Sequence, residues 1–231
     1  MSKSEGNFFT LRDLLLKGYR ASAIRFLLLS VPYRNQMNFT VDGLTESTNA
    51  IDRLRTFQSR LLRGAWPEVA GADDGALDGA LGREIAEARE KYTAALAHDL
   101  NTAEARAAIF DMVRAVNVAA DAGTLNRVDA EAALEVLAVF DGVFAVLEDR
   151  DAEWTRGALA WAEREGRMDE ADPGLMEMLS LTDGAIDGLV AERTAAKRQR
   201  NFARADAIRN DLLSKGILLE DAKDGVRWKR K

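Results

Sequence analysis

The spacing of apolar residues predicts a mostly helical chain. Three stretches between residues 77 and 147 repeat apolar residues every three or four positions, which is the period of an α-helix with one buried face. Each stretch is long enough to span a bundle, and the three apolar faces need one another to be buried, so we expect an antiparallel helical bundle. The stripes are Leu77, Leu81, Ile85, Ala88 and Tyr92, then Ala105, Ile109, Met112, Val116 and Ala119 after an Asn101 or Thr102 cap, then Leu134, Leu137, Phe144 and Leu147.

Three more helices are predicted before this bundle. Thr10 is a suitable N-cap for a short helix that Gly18 ends, and a second short helix over about 22–29 ends before Pro32. A longer helix is expected over about 44–62. Its predicted apolar face is formed by Ile51, Leu54, the stem of Gln58, and Leu61.

The last third of the chain changes pattern twice. Residues 149–180 are the least regular part and indicate a linker that contains one helix. Helices are predicted over 188–200 and 203–213, because Gly216 is placed to end the second one. Two short β-prone runs on either side of a turn at Gly225 predict a small hairpin.

Composition excludes several kinds of site. The 231 residues contain no Cys, so disulfides, thiolate zinc sites and thiol nucleophiles are excluded, and no metal site is expected in this chain. The one histidine, His98, precedes a predicted helix start and is interpreted as a local polar or capping residue. The polar first residues lack the apolar region of a signal peptide, and the longest apolar run, Ile24–Val31, is far shorter than the ~20 residues of a membrane span. We therefore expect a cytoplasmic protein with no membrane partner.

Charge is distributed unevenly along the chain. The net charge is −6, but residues 193–231 carry 12 Lys and Arg against 5 Asp and Glu, a net charge of +7, which leaves −13 for residues 1–192. This basic tail also contains Phe202 and Trp228. Positive charge and aromatic rings together are typical of RNA binding, although a solvated helix followed by a polar terminus has the same charge.

The first residues contain a recognisable motif. The run Met1-Ser2-Lys3-Ser4-Glu5-Gly6-Asn7 resembles the KMSKS signature of class I aminoacyl-tRNA synthetases and lacks only the first Lys. Further collinear segments resemble the cysteinyl-tRNA synthetase family. They are 7–15 (NFFTLRDLL), 23–34 (AIRFLLLSVPYR, with Pro32 where the family usually has His), 99–105 (DLNTAEA, similar to DFNTPEA) and 216–230 (GILLED…GVRWKR).

The resemblance implies both a fold and a domain order. We expect stem-contact helices followed by a DALR-type antiparallel helical bundle, with a small α+β C-terminal tail. The implied division is the signature loop and stem-contact segment over 1–40, the bundle over 41–150, a linker over 151–185, and a basic anticodon-binding subdomain over 186–231. The implied function is the tRNA-binding portion of cysteine–tRNA ligase, and the implied partner is tRNA-Cys.

The resemblance also implies roles for individual residues. Lys3 is the family's catalytic lysine and contacts ATP phosphates together with Ser2 and Ser4. The inner side of the tRNA is contacted by Arg12, Arg25 and Arg34, for which surface or packing roles are an equal alternative. The GCA anticodon is read by Lys197, Phe202, Asp206 and Asp221, with further tRNA contacts from Arg198, Arg200 and Trp228. Lys197 stands where the family usually has Arg, so Arg193 or Arg198 is expected to compensate.

Some of the family's parts have no counterpart in these residues. The resemblance implies that the Rossmann core, the HIGH signature and the cysteine-selecting zinc site belong to the family's N-terminal half. This chain has no Cys for a zinc site, and its one His cannot supply both the HIGH motif and a zinc ligand. We therefore expect that the chain alone does not activate cysteine, that a separate catalytic half is a possible partner, and that the fragment is a monomer unless its exposed helices self-associate. The alternatives are a non-enzymatic helical scaffold and, less favoured, a cysteine ligase acting on a thiol sugar.

Overall fold

The chain folds mainly into helices, as the apolar pattern predicts. The computed structural model describes residues 9–68, 79–179, 181–222 and 225–230. In this part the helices are α1 (Leu11–Leu16), α2 (Ala21–Leu28), α3 (Val41–Arg63), α4 (Ala80–Ala97), α5 (Thr102–Asp121), α6 (Arg127–Phe144), α7 (Asp151–Arg164), α8 (Pro173–Leu179), α9 (Asp183–Arg198) and α10 (Phe202–Ser214). The strands β1 (Ile217–Ala222) and β2 (Gly225–Arg230) follow α10 and form a small antiparallel sheet.

The described residues divide into two compact units. Residues 19–151 form the first unit, which holds α2 to α6. Residues 9–18 and 152–230 form the second, which holds α1, α8 to α10, the hairpin and α7 beyond its first residue. The four-part division inferred from the sequence stays a prediction.

Aromatic side chains fill the core of the first unit. Phe26, Tyr92, Phe140 and Phe144 are all at most 2% exposed. The rings of Phe140 and Phe144 stack with centroids 4.4 Å apart, and Tyr92 meets Phe140 edge-on. α4 packs against both α5 and α6, so the apolar stripes predicted on these helices do bury one another. Leu77 of the first predicted stripe lies outside the described residues.

Side-chain caps set the ends of the bundle helices. The Asn101 side chain accepts a hydrogen bond from the backbone N–H of Glu104 at the start of α5, and Asn126 does the same for Asp129 at the start of α6. His98 follows the last residue of α4, and its backbone N–H donates to the Ala94 carbonyl, so its position is at the end of α4, while the predicted polar or capping role of its side chain stays a prediction. These caps satisfy backbone groups that a helix end leaves without partners.

α3 differs from its prediction in two details. The helix begins at Val41, three residues earlier than expected, because the Thr40 hydroxyl accepts a hydrogen bond from the Gly43 N–H and caps it. Phe57 is 2% exposed and fills the core, whereas Gln58 is only half-buried. Positions 57 and 58 both lie near the apolar face, and the larger apolar side chain takes the buried position.

One buried carboxylate joins α2, α3 and the end of the first unit. Asp151 accepts hydrogen bonds from the Ser22 backbone N–H (2.8 Å) and hydroxyl (2.7 Å) and from the Arg55 guanidinium (3.2 Å). Arg55 also donates to the Val146 carbonyl at 3.0 Å. Because Asp151 is only 8% exposed, these partners replace the water that its charge would otherwise bind.

The expected linker over 151–185 is more regular than the sequence indicated. Residues 149–180, where one helix was expected, contain α7, a short 3-10 helix (Met168–Glu170) and α8. The buried face of α7 is built from Thr155, Ala158, Leu159 and Ala162, which follow the helical period. Its side chains are mostly small, and the exposed Trp154 obscures the stripe, so the apolar pattern was too weak to give the bounds of α7 or to indicate that a second helix follows it.

The C-terminal helices and the hairpin share a small core. Ile186 of α9, Ile208 and Leu212 of α10, and Ile217 of β1 are all buried in one cluster. β1 pairs with β2 so that Leu219 lies opposite Trp228, which confirms the predicted hairpin. Residues 223 and 224 of its predicted turn lie outside the described residues.

Candidate nucleic-acid interface

Three exposed side chains of the cationic and aromatic types that bind RNA lie at the junction between α9 and α10. α9 ends at Arg198, and Arg200 takes a left-handed backbone conformation (φ 58°) before Asn201 caps α10. Arg198, Arg200 and Phe202 therefore lie within five residues of one another around a tight turn, and all three are exposed. Neither arginine has an ion-pair partner in the part of the chain that the structure describes.

Phe202 is the most exposed aromatic ring of the C-terminal helices. It is the first residue of α10 and is 62% exposed, although burial of such a ring is favourable. Asp206 and Arg209 follow at four and seven residues, so they share the exposed face of α10 with Phe202. An aromatic ring, a carboxylate and a guanidinium on one helix face can stack a base, accept from its amino groups and bind a phosphate.

The structure brings Lys197 and Asp221 together, two residues that the sequence predicted as anticodon readers. The Asp221 carboxylate accepts a two-pronged pair of hydrogen bonds from Arg193, at 2.9 and 3.1 Å, and the Lys197 ammonium lies 3.2 Å from the same carboxylate. Hydrogen bonds from Arg193 hold the pKa of the Asp221 carboxyl well below its ordinary range. The pKa of Arg193 is raised by the same hydrogen bonds, with a smaller contribution from the charge of Asp206. Arg193, Lys197 and Asp221 therefore form one hydrogen-bonded charge cluster, and the charge of Asp206 acts on Arg193 without a contact among the described residues.

Trp228 of β2 makes contacts that connect the hairpin to α9. Its indole N–H donates to the Asp187 carboxylate at 2.7 Å, and its ring packs partly against the Ile186 cluster. The observed contacts of Trp228 hold β2 against α9. The predicted role of Trp228 in binding tRNA stays a prediction.

The three arginines predicted near the tRNA stem each have a contact within their own unit. The Arg12 guanidinium lies over the Trp161 ring, 4.3 Å from its centroid, and Arg34 pairs with Asp99 at 3.1 Å. Arg25 donates to the backbone carbonyls of Val143 and Phe144 at the end of α6. Arg25 thus has an evident structural role, whereas Arg12 and Arg34 remain exposed, and the tRNA contacts of all three stay predictions.

Arg193 has a contact whose importance the sequence did not reveal. Arg193 was considered only as a substitute for an arginine at position 197, yet it is 3% exposed and binds Asp221. A sequence signal did exist, because Arg193 stands seven residues after Ile186 on the apolar face of α9. A buried arginine on such a face needs an acidic partner, and that partner comes from β1.

Neither a metal site nor a membrane span is found in the described residues. No three His, Asp or Glu side chains there come close enough together to hold a metal ion. None of the helices formed by residues 9–68, 79–179 and 181–222 is long and apolar enough to cross a bilayer. Ser2, Lys3 and Ser4, which the signature resemblance implicates in ATP binding, lie outside the described residues.

Comparison with known proteins identifies the chain's relatives. The family profile described as "DALR domain" matches residues 91–148, from the second half of α4 to just beyond the end of α6. A cysteine–tRNA ligase of Koribacter versatilis (strain Ellin345) is 50% identical over 234 aligned residues, which cover 100% of this chain. The chain is homologous to cysteine–tRNA ligases along its whole length.

Two further matches agree with this relationship. The cysteine–tRNA ligase of Solibacter usitatus (strain Ellin6076) is 44% identical over the whole chain, and that of Brachyspira hyodysenteriae (strain ATCC 49526 / WA1) is 34% identical. The profile described as "tRNA synthetases class I (C) catalytic domain" matches residues 1–49, which include the signature residues. The chain spans 46% of the length of the Koribacter cysteine–tRNA ligase and 43% of the other two. The family resemblance and the DALR-type bundle inferred from the sequence are thus confirmed.

Proposed function

We propose that this chain provides the tRNA-recognising part of a cysteine–tRNA ligase, with tRNA-Cys as its partner. The observation that carries the proposal is the exposed Phe202, preceded by the exposed Arg198 and Arg200 and followed one turn later by Asp206. Stacking on the ring binds an unpaired base, the arginines bind the neighbouring phosphates, and the carboxylate accepts hydrogen bonds from base amino groups. The anticodon is the unpaired triplet on which such a surface acts.

The charged groups of Arg193, Lys197, Asp206 and Asp221 support the same proposal. Lys197 and the two carboxylates are exposed in the same unit as Phe202, so they offer an ammonium for a phosphate and oxygens that accept hydrogen bonds from base amino groups, while the buried Arg193 holds Asp221. The rest of the tRNA is proposed to run along the first unit, where Arg34 is exposed. A scaffold protein would not need an exposed ring just after two exposed arginines that form no ion pair with the residues that the structure describes.

For the N-terminal residues the proposal rests on similarity alone. Lys3, with Ser2 and Ser4, is proposed to contact ATP phosphates, supported by the match of residues 1–49 to a class I catalytic domain. A lysine suits this role because its ammonium is compact and its stem flexible, so it follows charge that moves toward pyrophosphate. Activation of cysteine is proposed to need the remaining parts of the ligase, and zinc would be bound there. The same proposal places the protein in the cytoplasm.

The Phe202→Ala substitution tests the stacking surface. Loss of one stacked base is worth about 1–3 kcal/mol, so binding of the full chain to a tRNA-Cys transcript is expected to weaken by about 5- to 150-fold. Dissociation constants for the wild type and the variant, measured by filter binding at one fixed salt concentration, give the comparison. Unchanged thermal unfolding of the variant is expected, because Phe202 is largely exposed.

Leu213→Ala is the matched control. Leu213 is also on α10 and is 51% exposed, but it lies about 16 Å further along the helix. This variant is expected to bind the transcript as the wild type does. Equal weakening by both substitutions, or by neither, would remove Phe202 from the interface.

A further inference from the structure

We propose that Trp161 is a positioning residue for tRNA binding, whose indole ring holds the Arg12 guanidinium ready to bind a phosphate of the RNA backbone. This inference rests on the proposed tRNA-binding function and adds a phosphate-binding site on α1 to it. Arg12 was predicted either to contact the inner side of the tRNA or to have a surface or packing role. The sequence did not indicate any role for Trp161, which lies on α7.

The Arg12 side chain stands on the exposed face of α1. The buried face of this helix consists of Leu14–Leu16. Arg12 forms no ion pair with the residues that the structure describes. Its neighbour Asp13 is engaged in the capping box of α1, where its carboxylate accepts a hydrogen bond from the Thr10 backbone N–H at 2.7 Å. The guanidinium charge is therefore available to an anion of another molecule.

The contact with Trp161 restricts the guanidinium without using its hydrogen-bond donors. The Arg12 Cζ lies 4.3 Å from the centroid of the Trp161 ring, well within the range of a cation–π contact. This attraction comes from the π electrons of the ring and needs no acceptor atom, so the N–H groups of Arg12 remain free to donate. A carboxylate partner would instead have occupied those donors and offset the charge.

A second arginine at the same ring has the opposite arrangement. The Arg167 guanidinium lies 5.1 Å from the ring centroid of Trp161, and it donates two hydrogen bonds of 2.7 Å to the two carboxylate oxygens of Glu170. The Arg167–Glu170 pair has no net charge. Of the two arginines at this ring, Arg12 is therefore the one whose charge is not offset by an acidic side chain in the described part of the chain.

The chemistry of this site fits the backbone of the RNA that the same unit is proposed to bind. Arg12 and Trp161 belong to the second unit, which also contains Phe202 and the basic tail. A tRNA bound to this unit carries a phosphate at every nucleotide, and a guanidinium can donate to two phosphate oxygens at once. Because the ring already restricts Arg12 in the free protein, less side-chain entropy is lost when the phosphate binds.

The experiment measures binding of the full chain to a tRNA-Cys transcript over a series of salt concentrations, and it gives both the affinity and the slope of log K against log salt. Arg12→Gln removes one phosphate contact, so it is expected to weaken binding and to reduce the size of the slope by about 0.7–0.9. Trp161→Leu keeps the charge but frees the arginine, so it is expected to weaken binding by about 2- to 12-fold at every salt concentration with an unchanged slope.

Two further variants separate positioning from general stability. The Arg12→Gln/Trp161→Leu pair is expected to bind as Arg12→Gln alone does, because Trp161 acts through Arg12. Arg12→Lys keeps the charge but loses the planar fork, so it is expected to weaken binding several-fold with an unchanged slope. If Trp161→Leu does not fold, as judged by circular dichroism, Arg12→Lys decides the matter, because it leaves Trp161 in place.

The Arg167→Gln/Glu170→Gln pair is the matched control. It removes both members of the neutral pair at the same ring and leaves the net charge of the protein unchanged. Its affinity and its slope are expected to equal those of the wild type. A loss of affinity and slope as large as that of Arg12→Gln would overturn the assignment of the phosphate contact to Arg12.

The outcomes distinguish this inference from the proposal on which it rests. A wild-type chain that does not bind the tRNA-Cys transcript would contradict both. Binding that is weakened by Phe202→Ala but keeps its affinity and slope in Arg12→Gln would overturn only the roles of Arg12 and Trp161. A reduced slope in Arg12→Gln, together with wild-type affinity in Trp161→Leu and Arg12→Lys or additive losses in the Arg12→Gln/Trp161→Leu pair, would overturn the role of Trp161.

Discussion

Asp151→Ala is expected to lower the free energy of unfolding of the chain by about 3–5 kcal/mol. The substitution leaves the Ser22 backbone N–H and hydroxyl without their acceptor and removes a charge partner from Arg55, whose side chain is 15% exposed. Uncompensated buried polar groups are among the few causes of losses this large. Chemical denaturation followed by circular dichroism measures the change.

Asp149→Ala provides the control for that measurement. Asp149 pairs with the same arginine at 3.2 Å, but its side chain is 67% exposed. Exposed ion pairs contribute about 0–1 kcal/mol, so this variant is expected to be nearly as stable as the wild type. If the two variants lose the same stability, the buried network does not join α2 and α3 as described.

Binding to tRNA is expected to weaken steeply with salt. A protein that neutralises 6–10 phosphates loses about 1,000-fold or more in affinity between 50 and 200 mM salt, and the C-terminal 39 residues, with 12 Lys and Arg, can supply that many contacts. Arg198→Gln and Arg200→Gln are each expected to reduce the slope of log K against log salt by about 0.7–0.9. Filter binding of a tRNA-Cys transcript at four or five salt concentrations gives each slope.

Arg204→Gln is the matched variant for the salt series. Arg204 lies in the same basic segment, but it pairs with Glu192 at 2.7 Å, so its charge is already offset. Its removal is expected to change the slope by less than either Arg198→Gln or Arg200→Gln. Equal slopes for all three variants and the wild type would show that the arginines beside Phe202 do not contact phosphates.

Much of the fold could be predicted from patterns of residues that are close together in the sequence. The stripe and the Asn101 cap of α5 and the stripe of α6 depend on residues a few positions apart, and the structure has a helix at each stripe, although Leu147 lies beyond the end of α6. The hairpin was predicted from a glycine between two β-prone runs. One helix was expected within residues 149–180, but the bounds of α7 were not predicted, because its buried face is mostly small side chains whose burial depends on neighbours that the local pattern does not reveal.

The candidate site could be predicted only in part, because it depends on contacts between residues that are far apart in the sequence. The sequence indicated Lys197, Phe202, Asp206 and Asp221 through family resemblance, and the charge of the tail supported them. It could not reveal that Arg193 binds Asp221, because that pair joins α9 to β1 across 28 positions. The same limit applies to Trp228, whose indole partner Asp187 is 41 positions away. Which charges are paired, and hence which are available to RNA, is set by tertiary packing.

The most direct test of the central claim is whether binding depends on the anticodon. Full-length tRNA-Cys with its GCA triplet is compared with the same transcript in which all three letters are replaced, at one salt concentration and with the wild-type chain. Each mismatched base is expected to cost about 1–3 kcal/mol, so the altered transcript should bind at least about 100-fold more weakly. Equal dissociation constants for the two transcripts would contradict the account of Phe202 and its charged neighbours as an anticodon-reading surface.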